Sequence, residues 1–288
     1  MTSSRSSTRR LAVTAVLVIA LVVIGALVVR AVWFRDQARV VRVDDAVDRF
    51  RDSLAAAPPL TTGSPTAFVA DSVPLVPTAT PVPSSISAIT PGVYRYRTTG
   101  GEGVDAVGGT SHDYPNETAL TVTASDCGVW LRWDLLKERR EEWQLCITDD
   151  GVALQPVGTV YHEFYGVGEI EQLSCDRAVV VVPLTDSAPP VALECMLADL
   201  PWLPVWEVLG RDTVAIDGSD VPAWHVRMTI DDTDEYPEQT VIDWWLAANG
   251  LPLRMSSTTS STSASDLVGD VRYEEQYMAE LDSLEPLS

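Results

Sequence analysis

The sequence predicts a mainly β protein, with a curved antiparallel, half-barrel-like sheet behind an N-terminal transmembrane helix and a Pro-rich linker. Three observations predict this. Residues 11–33 are apolar over the length of a membrane span, and residues 58–92 have the composition of an extended linker. Residues 93–288 contain segments in which apolar and polar side chains alternate, as they do in half-buried strands. The chain of 288 residues has room for one β domain beside these two pieces.

The apolar segment near the N-terminus is predicted to be an uncleaved anchor. Residues 11–29 carry no charged side chain, and residues 1–10 hold three arginines and no acid. About 20 apolar residues cross a bilayer, whereas a cleaved signal peptide has an apolar core of roughly 7–15. Arginines flank both ends of the segment, so the distribution of positive charge does not decide its orientation. A short tail can stay in the cytoplasm while a long domain crosses the membrane, and the cysteines, which all lie beyond the segment, suit an oxidising compartment. We expect a single-pass cell-membrane protein with residues 1–10 in the cytoplasm, residues 11–33 in the lipid bilayer and the bulk of the chain extracytoplasmic.

Residues 34–57 are predicted to form a juxtamembrane helix. Apolar side chains recur there at spacings of three and four residues, at Val40, Val43, Val47, Phe50 and Leu54. The stripe favours either a helix that continues from the span or a short parallel coiled coil, which would make a homodimer through residues 40–54. Pro58 and Pro59 end this helix, because proline lacks the backbone donor.

Residues 58–92 are predicted to be a Pro/Thr/Ser-rich linker. They contain eight prolines and a single charged side chain, Asp71. Such a composition buries too little apolar surface to form a core, and it favours an extended spacer between the helix and the domain.

Residues 93–288 are predicted to be the extracytoplasmic β domain. Nine of the 20 Lys+Arg and six of the 41 Asp+Glu precede residue 93, which leaves this region with a net charge of −24. Nucleic acid is therefore not an expected partner, because binding to phosphates needs clustered basic residues.

Period-two alternation and turn signals define the strands of this region. Trp224, Val226, Met228 and Ile230 alternate with more polar residues. Turn signals separate the strands at Gly100-Gly101, Asp150-Gly151, Asp217-Gly218 and Asn249-Gly250. The last two are typical of two-residue β-hairpins, so the sheet is expected to be antiparallel.

A weak internal similarity accompanies these strands. The pattern around Tyr114-Pro115 and Gly128 reappears 122 residues later around Tyr236-Pro237 and Gly250. A duplicated meander and the convergence of two hairpins on the same turn residues both account for it.

The cysteines predict two disulfides. An even number of cysteines in an oxidising compartment favours full pairing. Sequential pairing places each pair across one hairpin, the first centred near Lys137 and the second near Thr185. We therefore expect the bonds Cys127–Cys146 and Cys175–Cys195. Their spacings are not those of a zinc site, so no metal is expected.

The sequence contains no catalytic signature and no cofactor motif. It has no Gly-rich phosphate loop and no nucleophile elbow, and its three histidines are scattered singly. Adjacent acids are expected in so acidic a domain. No catalytic residue, no metal and no cofactor are predicted, and the protein is expected not to be an enzyme.

Tryptophan is unusually abundant, and eight of the nine tryptophans lie in residues 93–288. Bulky aromatic side chains fill a core or line an apolar cavity on the concave face of a curved sheet. The second interpretation makes ligand-binding candidates of five tryptophans: Trp130, Trp133, Trp224, Trp244 and Trp245.

Three segments carry a family resemblance: GVYRYRTTG at 92–100, WEVLGRDTVAIDGSDVPAWHVRM at 206–228, and TVIDWWLAANGLPLRM at 240–255. Followed by DVRYEEQY at 270–277, they resemble the strand succession of the LolA-like half-barrel envelope lipoproteins and lipid carriers. The resemblance covers residues 93–280. It implies a non-enzymatic envelope protein that binds a hydrophobic or lipid-linked ligand. The alternative is an extracytoplasmic interaction or scaffold module that docks another envelope protein and has no small-molecule ligand.

Overall fold

The computed structural model describes residues 38–56 and 86–287, with gaps at 107–108, 186–187, 198–199, 233–236 and 266–268, together with the single residues Val23 and Gly25. The predicted cytoplasmic tail, nearly all of the predicted span and most of the linker lie outside these residues. Among the residues described, no helix combines the length and the apolar character needed to cross a membrane.

The described chain consists of one helix and a set of antiparallel strands. Helix α1 is Val43–Ala56. The strands are β1 (Gly92–Val104), β2 (Thr110–Asp113), β3 (Glu117–Ala124), β4 (Gly128–Asp134), β5 (Arg139–Thr148), β6 (Gly151–Phe164), β7 (Val167–Cys175), β8 (Val179–Pro183), β9 (Val191–Ala192), β10 (Cys195–Leu197), β11 (Leu200–Trp202), β12 (Val205–Ile216), β13 (Ser219–Asp232), β14 (Glu238–Leu246), β15 (Pro252–Ser265) and β16 (Gly269–Leu281).

The strands form one curled antiparallel half-barrel, which confirms the predicted fold class for the β region. Their order is β11-β10-β7-β6-β5-β4-β3-β1-β16-β15-β14-β13-β12-β9, with β2 added to β1 and β8 added to β6. The chain is a meander apart from two departures: the last strand returns to pair with β1, and the short strands β8, β9 and β10 pair with β6, β12 and β7. The curl brings β8 against β12 and β13, which belong to the other end of the sheet. We call the line where these strands meet the seam.

The inner face of the sheet carries one continuous apolar core. Strand β13 shows the expected alternation: Trp224, Val226, Met228 and Ile230 are buried, whereas His225 and Arg227 lie on the outer face. Tyr96 of β1 and Trp133 of β4 pack with ring centroids 4.4 Å apart. Side chains from both ends of the sheet belong to the same buried cluster, because the curl folds the inner face onto itself.

Helix α1 packs on the outer face of the sheet, over β1 and β3. Its buried side chains are Val43, Ala46, Val47 and Phe50, and they contact Val93 and Ala119 of the sheet. Val40 and Leu54, the ends of the predicted heptad stripe, are 48 % and 61 % exposed. The middle of the stripe proposed for a homodimer therefore packs on the sheet within one chain, and the homodimer itself stays a prediction.

The helix begins at Val43, later than the predicted start at residue 34. Residues 38–42 are not helical. The backbone N–H of Arg39 donates to Glu138 (2.8 Å), and its carbonyl accepts from the N–H of Lys137 (2.9 Å). These backbone groups are bonded to the β4–β5 turn, so they are not available for helical hydrogen bonds.

The two flanks of the Pro-rich linker belong to the same domain. The end of α1 lies beside the end of β3, where Ser53 and Thr123 line one groove. After the linker, Ile89 is buried in the core, and Gly92 begins β1 opposite Val122 of β3. The two flanks of the linker thus lie at the same end of the domain. Residues 57–85 lie outside the described residues, so the extended linker stays a prediction.

The turn predictions have mixed outcomes. Asp217-Gly218 is a two-residue turn with positive φ at both residues, as expected. Asn249-Gly250 lies instead in a five-residue connection between Leu246 and Pro252. Gly100-Gly101 is not a turn but the middle of β1, where a Cβ would overlap the backbones of β16 and β2. Glycine is needed here because neighbouring backbone on both sides of the strand approaches closely.

The two predicted cysteine pairs are confirmed. Cys127 and Cys146 flank the β4–β5 hairpin, and Cys175 and Cys195 face each other on β7 and β10. The second pair does not flank a simple hairpin centred near Thr185. Between its cysteines, β8 pairs with β6 and β9 pairs with β12, because these short apolar strands cover the seam.

Candidate functional site

The five predicted ligand-binding tryptophans are divided between the two faces of the sheet. Trp133, Trp224 and Trp244 lie on the inner face and are 3 %, 1 % and 4 % exposed. Trp130 and Trp245 are only partly buried and lie on the outer face, since each is offset by an odd number of residues from an inner neighbour. The structure does not bring the five together into one site.

The inner tryptophans are packed against other side chains of the protein. The Trp244 ring lies 5.5 Å from that of Trp206 and 6.2 Å from that of Trp143, both edge-on. The guanidinium of Arg211 stacks on Trp224 at 3.6 Å. The apolar part of the concave face is therefore filled by the protein's own side chains.

The outer-face Trp245 belongs to a polar surface network. Its ring stacks on His225 at 4.4 Å, and its Nε1–H donates to Asp212 (2.8 Å). His225 in turn contacts Asp243, which receives two hydrogen bonds from Arg227. These contacts fix the indole on the sheet surface.

The seam contains an apolar groove with a volume of about 550 Å³. This volume falls within the range of roughly 300–1,000 Å³ typical of small-molecule sites. Its deepest side chains are Val179, Trp206 and Val226, all nearly fully buried. The remaining lining is Arg177, Ala178, Val180, Ala188, Pro189, Pro190, Val191, Ala192, Glu207 and Val208. Apart from Arg177 and Glu207 the walls are uncharged.

Sequence reasoning did not identify this groove. Trp206 is one of many tryptophans in the β region, and Val179 lies in a short apolar run of no distinctive pattern. The groove exists because the curl places β8 against β12 and β13, which come later in the chain. No local sequence pattern indicates a contact between strands so far apart in the chain.

A second feature is a buried cluster of charged and polar side chains at one end of the inner face, here called the Arg139 cluster. It consists of Glu102, His112, Tyr114, Arg139, Glu141, His162, Tyr273 and Glu275. Arg139 Nε donates to Glu275 (3.1 Å) and lies 3.9 Å from Glu102. Its Nη2 donates to Glu141, while Nη1 has no hydrogen-bond partner among the described residues.

Hydrogen bonds connect the rest of the Arg139 cluster. The Tyr273 hydroxyl donates to Glu102 (3.0 Å) and lies 3.3 Å from Nε2 of His162. Nδ1 of His112 lies 3.2 Å from Glu102. The hydroxyl of Tyr114 donates to Glu275. The cluster thus joins the paired strands β1, β2 and β16 to the paired strands β5 and β6 through side-chain contacts.

Burial shifts the pKa of several of these groups. It raises the pKa of Glu275, against the opposing effect of the Arg139 guanidinium. It lowers the pKa of His162 well below the ordinary value, and the charge of Arg139 adds to that shift. Farther along the inner face, burial also raises the pKa of Glu171 and of Glu238. Neutral forms are favoured in each case because burial penalises charge.

The carboxylates of the Arg139 cluster are enclosed within the domain. The side chains of Glu102, Glu141 and Glu275 are at most 5 % exposed, and each is hydrogen-bonded to neighbours within the domain. Within the described ranges, no group of three or more His, Cys, Asp or Glu side chains could hold a metal ion.

Comparisons with protein-family models, with curated proteins and with solved structures give no match for this chain. The half-barrel sheet is observed, whereas the resemblance to the LolA-like proteins stays a prediction.

Proposed function

We propose that this protein is a single-pass, membrane-anchored envelope protein whose β domain binds a hydrophobic or lipid-linked ligand in the seam groove. One observation carries the proposal: the seam groove combines a small-molecule volume with walls that are mostly apolar. Trp244 packs on Trp206 and Trp143 packs in turn on Trp244, while part of the Trp206 side chain lines the seam groove.

The lining of the groove supports an apolar ligand with a polar end. Trp206 and Val226 form its floor, at 5 % and 1 % exposed. The two charged residues of its lining are Arg177 and Glu207, and Arg177 is itself exposed and paired with Asp176. An acyl chain would replace water against the valines and Trp206, while its head group would remain in solvent.

A non-enzymatic role is part of the proposal. The buried carboxylates that could act as acids or bases are enclosed by Arg139 and its neighbours, away from the seam. The seam groove itself presents one carboxylate and one guanidinium, without a nucleophile beside a base.

The test is binding of a fluorescent fatty acid to the purified full chain, together with native mass spectrometry after mild detergent extraction. Val208→Trp fills the groove and is expected to weaken binding by at least about tenfold. Leu209→Trp is the matched control, because Leu209 is the next residue, is 41 % exposed and does not line the groove. The proposal is contradicted if no lipid copurifies and none binds at micromolar concentration, or if both variants behave alike.

One observation favours the alternative, a module that docks another envelope protein. Exposed apolar side chains cluster at the β10–β11 edge, where Met196 is 42 %, Leu200 69 % and Leu203 60 % exposed. Edge strands with apolar side chains are common docking sites. Crosslinking in intact cells should recover a partner that Leu200→Asp loses. Recovery of the monomer alone would remove this alternative.

A further inference from the structure

A second groove lies on the outer face of the domain, between helix α1 and strands β3 and β4. Its volume is about 450 Å³. Phe50 of the helix and Trp130 of β4 supply its aromatic surface, and Thr121 and Thr123 supply hydroxyl groups. The groove exists only because α1 packs on the sheet, since the helix forms one of its two walls.

The charged groups of this groove balance one another. Arg49 donates to Asp134 (3.0 Å), which also receives a hydrogen bond from Arg132 (3.0 Å). Arg132 lies 3.8 Å from Glu142. The lining itself therefore holds two guanidinium groups and two carboxylates, and Arg140, outside the lining, also lies 3.7 Å from Glu142.

The ion pairs also hold these planar groups in fixed positions. Asp134 is 3 % exposed, whereas Arg49, Arg132 and Glu142 are 49 %, 39 % and 36 % exposed. Each exposed group keeps hydrogen-bonding capacity toward the groove, with donors on the arginines and acceptors on Glu142. Preorganised donors and acceptors reduce the entropy cost of binding a ligand.

We propose that this outer groove binds a neutral saccharide. Balanced charges favour a ligand without net charge, and mixed donors and acceptors suit hydroxyl groups, which both donate and accept. The Trp130 indole offers an apolar surface for the C–H face of a sugar ring. The outer groove is separate from the seam groove, so this inference does not depend on the function proposed above.

The experiment measures calorimetric binding and tryptophan fluorescence of the full chain in detergent with maltose, cellobiose and N,N′-diacetylchitobiose. At least one of these neutral disaccharides should bind. Trp130→Ala should weaken that binding by at least about tenfold. Trp245→Ala is the matched control, because it removes an outer-face indole whose contacts are with His225 and Asp212, and it should leave saccharide affinity unchanged.

A second variant guards against a folding defect in Trp130→Ala. Glu142→Gln keeps the shape of the groove and should also weaken binding, with a circular dichroism spectrum like that of the parent chain. Val208→Trp, which fills the seam groove, should have no effect on saccharide binding. The proposal is overturned if none of the disaccharides binds, if Trp130→Ala and Trp245→Ala bind equally well, or if glucosamine or glucuronic acid binds more tightly than the neutral sugars.

Discussion

Arg139 shares one guanidinium among three buried carboxylates, those of Glu102, Glu141 and Glu275. Removing charges from water costs several kcal/mol per ion, and one positive charge does not offset three negative ones. Burial therefore favours the protonated, neutral form of Glu275 and raises the pKa of its carboxyl group, although Arg139 opposes this shift. The contribution of the cluster to the stability of the fold therefore depends on pH.

The first prediction is that Glu275→Gln stabilises the domain at pH 8. The raised pKa means that the folded chain holds the neutral carboxyl more readily than the unfolded chain. Ionisation thus costs folding free energy as the pH rises above the unfolded pKa of about 4.3. Glutamine stays neutral and still accepts from Tyr114, so urea unfolding at pH 8 should show a gain of about 1 kcal/mol that disappears near pH 4.

Glu274→Gln is the matched control for this prediction. Glu274 is the adjacent residue, and its side chain is 64 % exposed and paired with Arg272. Its replacement should change the free energy of unfolding by less than about 0.5 kcal/mol at either pH. A loss of stability in Glu275→Gln at pH 8 would show that the ion pair with Arg139 outweighs desolvation.

At the scale of elements, helix α1 behaves as part of the β domain. Val43, Val47 and Phe50 are buried on the sheet, and Arg49 pairs with Asp134. An isolated helix of 14 residues is marginal in water, so its stability depends on this packing. Ala46 is buried as well, so the buried positions recur with the helical period of 3.6 residues, as expected for a helix packed on one surface.

The second prediction tests this attachment. Val47→Asp places a carboxylate in the buried contact with the sheet and should release the helix, because an unpaired buried charge is costly. Trypsin should then cleave after Arg49 and Arg51 at least about tenfold faster. Val40→Asp is the control, since Val40 is 48 % exposed and should leave the cleavage rate unchanged. Equal rates in both variants would contradict the packed position of α1.

The third prediction concerns the disulfides. Cys175–Cys195 joins β7 to β10 and closes a loop with a sequence separation of 20. Replacing both cysteines by serine should lower the free energy of unfolding by about 3 kcal/mol, because the crosslink restricts the conformations of the unfolded chain. Urea unfolding measures this loss, and peptide mapping of the unreduced parent should give only the 127–146 and 175–195 links. Free thiols or a 127–175 link would contradict the strand register.

At the scale of the whole molecule, charge opposes compactness. The β region carries a net charge of −24, and many of its acids lie on the surface. Self-repulsion of this kind destabilises the folded state and is screened by salt. Surface ion pairs such as Arg254–Glu280 offset little of it, because exposed pairs contribute about 0–1 kcal/mol each.

The fourth prediction is that salt stabilises the protein. Raising NaCl from about 20 mM to about 500 mM shortens the Debye length from roughly 20 Å to roughly 4 Å. At pH 8 we expect the midpoint of thermal unfolding to rise by about 2–4 °C, which corresponds to about 1 kcal/mol. Differential scanning calorimetry at both salt concentrations measures the change. A fall in the midpoint would mean that attractive ion pairs dominate the surface.

The sequence by itself determined the features that depend on neighbouring residues. Alternation assigned Trp224, Val226 and Met228 to the inner face, and the hairpin formed by β4 and β5 paired Cys127 with Cys146. Local geometry is enough for these, because side chains alternate along every strand and short connections favour adjacent antiparallel strands. The pair Cys175–Cys195 was also predicted correctly, although β8 and β9 lie between its two strands in the chain and the expected hairpin does not form.

Only the tertiary structure decided where the candidate sites lie. The seam groove joins β8 to β12 and β13, and the Arg139 cluster joins Tyr273 to Glu102 across 171 residues. The outer groove needs α1 to pack on β3, although a helical stripe of the same period also suits a coiled coil. The physical reason is that period and turn chemistry fix which face a side chain lies on, whereas the curl of the sheet fixes which distant faces meet.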